Sequence, residues 1–232
     1  MILYSPISGD VCTTPISWRP RTCFLMTQLG GTIPKQIVTI RKQIDDILRD
    51  HDFTLIDAQS ETRGRDYLLK IWGLLVCVPV GIAIIEENMT AQTMSNIFYE
   101  LGLMDSLGKE TIVIKTYKSR VPSDLNRTEY ITYSNGFKLD FEKFIGSINK
   151  AVEYYATVAR QVENNPLLAI DYYRRAFLIS GASVYCERAA EIFESAGFEG
   201  RALNSVETLL AGFATGEIGI SYSQKLASAT RS

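Results

Sequence analysis

The residue best placed to do chemistry in this sequence is Glu100, in the stretch "SNIFYELGLMDSLGKETIVIK" (residues 95–115). Ile97, Leu101 and Met104 share one face of a helix at about 100° per residue, and the middle of that face is where Glu100 points. Burying a bare carboxylate is costly, so an inward glutamate is paired, neutralised or used. A desolvated carboxylate has a raised pKa and can act as an acid or base, as a nucleophile, or as a stabiliser of a cationic sugar carbon.

A structural role for Glu100 is the alternative that the same spacing allows. A neighbouring arginine or a backbone amide can satisfy a partly buried helical glutamate, and structural ion pairs also place carboxylates on inner faces. The sequence around Glu100 favours function, because Asn96 and Tyr99 are close by and the helix follows an apolar run that is typical of a core strand.

Apolar runs alternate with helical patterns over the first two thirds of the chain, and these elements must position Glu100. Strands are predicted at residues 22–28, 53–56, 80–85, 111–116 and 129–134. Strands that alternate with helices predict an α/β fold, with a parallel sheet covered by helices on both faces. Ligands bind such sheets at the carboxyl ends of the strands. Glu100, early in the helix after the third strand, is therefore expected near that rim.

Polar residues and glycines follow the predicted strands, and they supply the candidate binding residues. The candidates are Gln28, Gly30, Gly31, Asp57, Arg63, Glu86, Asn96 and Tyr99. The glycine pair after the first strand can let a phosphate approach backbone amides. Asp57 can bind ribose hydroxyls, and Arg63 can contact a phosphate. An ordinary tight turn and a solvated loop are the alternatives for these segments.

Residues 96–115 resemble the signature N-x-x-YELG followed by a Gly-Lys turn, which is found in nucleoside 2-deoxyribosyltransferase-like and TIR-like nucleotide-binding domains. The resemblance implies a flavodoxin/TIR-like fold over residues 23–133, a cleft for a nucleotide or nucleoside, and Glu100 at the catalytic glutamate position. Asn96 and Tyr99 match neighbouring motif positions. The acidic residue that these families often carry just before the third strand is absent here, so other loops must hold the substrate.

The resemblance implies an N-glycosidase that cleaves the ribosyl N-glycosidic bond of NAD or a related nucleotide or nucleoside. The nucleotide is then the substrate, and no metal or other cofactor is required. TIR-like relatives often serve in immune or phage-defence signalling, so that role is implied as well. Two other classes stay open: a non-catalytic module that binds a nucleotide signal in the same cleft, and an assembly adaptor built on the α/β scaffold.

The sequence changes character near residue 140, beyond which only helical patterns occur. The stretches "AIDYYRRAF" and "CERAAEIFESAG" resemble tetratricopeptide-type helical hairpins. We therefore expect an irregular N-terminal arm (1–21), an α/β domain (22–139) and a tetratricopeptide-like helical region (140–232). Such repeats are stable when stacked, typically at least ~3 deep. A homo-oligomer or a protein partner is accordingly expected at the helical region.

The composition excludes several other classes of protein. Lys and Arg number 24 against 26 Asp and Glu, so the formal net charge of −2 gives no electrostatic footprint for nucleic acid. The cysteines are far apart and there is one histidine, so no zinc set is expected and a reducing cytoplasm is predicted. The apolar stretch 71–85 is shorter than the ~20 residues that span a bilayer and contains Pro79 and Gly81, so no membrane span is expected.

Overall fold

The computed structural model describes residue 9 and residues 16–59, 67–121 and 129–199. Within these ranges the strands are β1 (Thr22–Met26), β2 (Thr54–Asp57), β3 (Val80–Ile85), β4 (Glu110–Lys115) and β5 (Glu129–Thr132). The helices are α1 (Lys35–Asp50), α2 (Tyr67–Cys77), α3 (Ala91–Ser106), α4 (Phe137–Gln161), α5 (Pro166–Ser180) and α6 (Ser183–Ala196). Each predicted strand is present close to its expected ends.

The five strands form one parallel sheet in the order β2-β1-β3-β4-β5. The chain moves outward from β1 to β2, crosses back past β1 to β3, and then continues to β4. Because crossovers between parallel strands are right-handed, α1 covers one face of the sheet and α2 and α3 cover the other. This is a flavodoxin-like strand order. The predicted α/β fold with helices on both faces, followed by a helical C-terminal region, is confirmed.

Burial explains why these segments adopt these structures. Every residue of β1 and β3 is buried, as expected for central strands that are covered on both faces and so have continuous apolar sequences. Helix α1 buries one apolar stripe at helical spacing, formed by Ile37, Ile40, Ile44, Ile47 and Leu48.

Close packing between β3 and α3 fixes the helix that carries Glu100. Gly81 of β3 has no side chain, and a Cβ atom there would lie 2.9 Å from Cε of Met26 and closer still to Sδ of Met104. Met104 is one turn beyond Glu100 on α3. The absence of a side chain at Gly81 therefore leaves room beside β3 for the ends of the Met26 and Met104 side chains, which would have to shift for any larger residue.

The chain divides into two compact units. One unit is Arg21–Asn149 and contains the sheet; the other combines Met1–Pro20 with Lys150–Ser232. The described core of the second unit is formed by Ala159, Ala169, Ile170, Tyr173, Ala189 and Ile192. The predicted tetratricopeptide-like character of this unit stays a prediction.

The helical unit also contains a buried charge network that includes a residue from the N-terminal arm. The guanidinium of Arg174 lies 4.7 Å from the ring centroid of Trp18, and both side chains are 1% exposed. Arg174 also pairs with Asp171 at 2.6 Å. Residues 16–19 lack regular secondary structure, yet Trp18 is part of the core of this unit. In the described part of the chain, no helix combines the length and apolarity needed to cross a membrane.

Candidate functional site

A cavity of about 310 Å³ lies at the carboxyl edge of the sheet, within the α/β unit. Its lining residues come from the end of β1, the end of β2 and helix α3: Leu25, Thr27, Gln28, Leu29, Gly30, Ala58, Thr93, Asn96, Ile97 and Glu100. The strand order reverses at β1 and β3, which makes this edge the topological switch point where open α/β sheets bind ligands.

Glu100 faces this cavity from α3, between the buried side chains of Ile97 and Leu101. Among the described residues its carboxylate makes no hydrogen bond and no ion pair. Burial raises the pKa of Glu100 to about 7, because desolvation penalises the charged form. The group is therefore divided between its neutral and ionised forms at neutral pH.

The start of α3 places two further polar side chains in the cavity. Thr90 caps the helix by accepting a hydrogen bond from the backbone N–H of Thr93 at 3.1 Å, and Thr93 lines the cavity. Asn96, one turn before Glu100, also lines it. Tyr99 is 50% exposed and is not part of the lining, because neighbouring helical residues differ in direction by about 100°.

The loop after β1 forms another wall of the cavity and is held by side-chain amides. Gln28 donates from Nε2 to the carbonyl oxygen of Gly30 at 3.0 Å, and Gln59 donates to the carbonyl oxygen of Leu29 at 2.8 Å. Gly31 has a φ of +69°, which a glycine adopts without strain, and it lies in the turn rather than in the lining. Gln28 and Gly30 thus share a preformed cavity with Glu100.

Asp57 does not line this cavity, contrary to the expectation that it would help to bind the ligand there. Its carboxylate pairs with Arg41 of α1 and accepts a hydrogen bond from the backbone N–H of Gln59 at 2.8 Å. Asp57 is therefore occupied on the face of the sheet that α1 covers. The cavity is lined instead by its neighbour Ala58.

Glu86 also lies outside the lining of the cavity. Its carboxylate is buried and accepts hydrogen bonds from the backbone N–H and the side-chain amide of Asn88, at 2.8 and 2.7 Å. It thereby stabilises the turn after β3. Arg63, the remaining predicted binding residue, is outside the described residues.

Thr27 belongs to the site although its sequence context does not single it out. It directly follows β1, lines the cavity, and has a buried hydroxyl with no hydrogen-bond partner among the described residues. The available sequence signal is its position, since it is a polar residue at the carboxyl end of a central strand.

A second cavity, of about 850 Å³, lies between α1 and the segment that follows β5. The charged residues that line it, Asp46, Asp50 and Lys138, are all exposed. We assign the candidate site to the smaller cavity, because it occupies the switch point and contains a desolvated carboxylate.

The lining of the cavity combines one carboxylate with a raised pKa, Glu100, with side-chain amides, threonine hydroxyls and apolar residues. The described residues contain no group of three or more His, Cys, Asp or Glu side chains that could hold a metal ion. A carboxylate fixed beside a bound ligand can stabilise or capture an electrophilic carbon, while the amides and hydroxyls hydrogen-bond the ligand.

The fold and the candidate site together define a parallel α/β unit with a cavity at its topological switch point. No protein-family model and no curated protein matches this chain. Among solved structures, a 2-deoxyribosyltransferase from the psychrotolerant bacterium Bacillus psychrosaccharolyticus is similar at 15% identity and a TM-score of 0.39, covering 50% of this chain and 90% of that chain. This similarity is distant, so the fold class rests on the strand order and the candidate site rests on Glu100.

Proposed function

We propose that this protein is an N-glycosidase or glycosyl-transfer enzyme that breaks the ribosyl N-glycosidic bond of a nucleoside or nucleotide, with Glu100 as the catalytic carboxylate. The observation that carries the proposal is the desolvated carboxylate of Glu100, which no described residue pairs, in a cavity at the switch point. The resemblance of residues 96–115 to nucleoside 2-deoxyribosyltransferase-like sequences supports it.

The chemistry needs little beyond this carboxylate. When the bond between the sugar C1′ and the base nitrogen breaks, the electron pair leaves with the base and positive charge develops on the sugar ring. The ionised Glu100 carboxylate stabilises that charge, or forms an ester with C1′ that a water molecule or a second base then opens. A positively charged base such as nicotinamide leaves as a neutral molecule without a proton, whereas a neutral base must be protonated.

The size of the cavity matches a small ligand. Its volume of about 310 Å³ is at the lower end of the ~300–1,000 Å³ typical of ligand sites. The finer assignments derive from the sequence. NAD as the substrate and a role in immune or phage-defence signalling follow from the resemblance of residues 96–115. The cytoplasmic location follows from the scattered cysteines, and the homo-oligomer or protein partner from the tetratricopeptide-like helical patterns.

Base release tests the proposal directly. The protein is incubated separately with NAD, NADP, ATP and deoxynucleosides, and the freed base is measured by chromatography. Glu100→Gln keeps the shape of the side chain and removes its charge, so the rate should fall about a hundredfold to a thousandfold, or ~2.7–4 kcal/mol. Glu153→Gln, at an exposed position on α4, is the matched control and should release base at the wild-type rate.

Two outcomes would contradict the proposal. Base release by a folded Glu100→Gln variant at the wild-type rate would remove the catalytic assignment. Binding of a nucleotide without release of any base would instead favour the non-catalytic binding module.

A further inference from the structure

Thr27, in the wall of the cavity that Glu100 also lines, has a buried hydroxyl whose hydrogen-bonding capacity is unsatisfied among the described residues. Its side chain is 8% exposed, and its Oγ1 atom has no hydrogen-bond partner among the described residues. Buried polar side chains in folded proteins are almost always hydrogen-bonded, so each exception requires an explanation.

Packing does not explain why a threonine stands here. Valine has nearly the same β-branched shape and an equal preference for strand-like backbone, and it would bury no unsatisfied oxygen. The hydroxyl is therefore a cost to the unliganded fold. A ligand that completes the hydrogen bond would offset this cost.

The location of Thr27 indicates which part of a ligand it would meet. Thr27 and Glu100 line the same small cavity, so a single bound molecule that contacts the carboxylate also lies against Thr27. The reacting carbon of a nucleoside, C1′, belongs to its sugar, and the sugar groups next to it are the ring oxygen and the carbon that carries the 2′ substituent. A threonine hydroxyl both donates and accepts, as a sugar hydroxyl does.

We propose that the Thr27 hydroxyl hydrogen-bonds a sugar hydroxyl of the nucleoside substrate and so selects the sugar at this site. This inference rests on the function proposed above. It adds a substrate-binding residue from the end of β1 to the catalytic residue on α3, so that the two neighbouring elements hold the sugar between them.

The test uses Thr27→Val, with Thr27→Ser to restore the hydroxyl. The matched control is Thr22→Val, at a buried threonine at the other end of β1. Dissociation constants for adenosine, 2′-deoxyadenosine and 3′-deoxyadenosine are measured by calorimetry, kcat/KM by base release, and folding by thermal unfolding. A site that hydrogen-bonds a substrate hydroxyl loses affinity when that bond is removed.

We expect Thr27→Val to weaken binding and lower kcat/KM about tenfold or more, with an unchanged or higher Tm, because an unsatisfied polar atom is removed. Thr27→Ser should recover most of the affinity, and Thr22→Val should keep the wild-type value. The penalty should disappear with the one deoxynucleoside that lacks the contacted hydroxyl, because the pair no longer interacts.

Three results would overturn the inference. The first is wild-type affinity in Thr27→Val, and the second is an equal loss in the valine and serine variants together with a lower Tm. The third is no nucleoside binding by the wild-type protein. Failure of the proposed function would give a different result: the wild-type protein binds nucleosides and Thr27→Val weakens that binding, but no base is released.

Discussion

Gly81 of β3 lies directly against the end of the Met104 side chain of α3, which occupies the space that a Cβ atom on the strand would need. A Cβ atom at Gly81 would lie 2.9 Å from Cε of Met26 and closer still to the Met104 sulfur. Met104 is one turn from Glu100 on α3, so this contact lies close to the carboxylate that faces the cavity.

Gly81→Ala should therefore weaken both the fold and the activity. Forcing one extra carbon into a packed core costs about 1–3 kcal/mol. The loss should be at the lower end of that range, because the atoms that must shift are the ends of the flexible Met26 and Met104 side chains. Urea denaturation measures the first effect, and base release the second. The control is Gly102→Ala on the exposed side of α3, the helix that packs against Gly81, because a Cβ atom at Gly102 meets no atom within 4 Å. It should raise stability by up to about 1 kcal/mol and leave activity unchanged; equal behaviour of the two variants would contradict this account.

Glu100→Gln should stabilise the protein at alkaline pH. The pKa of Glu100 is raised from 4.5 to about 7 in the folded protein, so the folded state keeps a proton that the unfolded chain releases. The stability that wild-type Glu100 provides in its protonated form is fully present below the pKa of the unfolded chain. It is lost as the pH rises through the higher pKa of the folded protein. Thermal unfolding should show similar stability at pH 5 and a gain of about 1–3 kcal/mol at pH 8. A less stable variant at pH 8 would reveal a partner that favours the carboxylate.

The rate of base release should rise with pH along the titration of the same group. Only the ionised carboxylate stabilises a cationic sugar, and its pKa is about 7. The profile of kcat/KM across neutral pH should therefore increase and level off, with an apparent pKa near that value. A profile that falls with pH would mean that Glu100 acts as a protonated acid.

Arg174→Met should destabilise the helical unit. Asp171 is 4% exposed, and although burial opposes ionisation, Arg174 and Arg175 hold the pKa of its carboxyl well below the usual range. Removing Arg174 takes away the main partner of a buried charge, at a cost of about 3–5 kcal/mol. Because the pKa is depressed, this contribution is present above the unfolded value and is lost only as pH falls through the folded one.

Urea denaturation at pH 7 measures the effect of Arg174→Met. The control is Arg188→Met, which removes the ion pairs to Glu163 and Glu191 at an exposed position. Exposed pairs are weak because water and salt screen them. The loss should be clearly smaller in this variant, and an equal loss would argue against a special role for the buried pair.

The features that sequence predicts well are those set by burial along one element. Strand β3 is predicted at its observed bounds, because a central strand covered on both faces leaves an unbroken apolar run. The inward direction of Glu100 follows from its spacing to Ile97 and Leu101, since a helix repeats every 3.6 residues. These inferences need no knowledge of neighbouring elements.

The features that sequence does not predict depend on which side chains meet in space. From the sequence, Asp57 is a reasonable candidate for a ligand-binding carboxylate. The structure shows that it pairs instead with Arg41, which is sixteen residues away on α1. The unsatisfied hydroxyl of Thr27 depends on which groups surround it in space, so no pattern in the sequence indicates it. Glu86 is different, because its partner Asn88 is two residues away and a local turn is foreseeable.

The stacking of Trp18 on Arg174 makes the helical unit discontinuous along the chain, with Arg21–Asn149 as an insertion. Trp18 and Arg174 are far apart in the sequence, so their contact gives this unit a high contact order. Such long-range contacts form slowly, and this one cannot form before α5 has been synthesised. Ribosomal synthesis delivers the complete sheet sequence first, and domains tend to fold as units in that order. The α/β unit is accordingly the segment to excise for independent expression, whereas a fragment starting at residue 150 would lack the indole that covers its buried guanidinium.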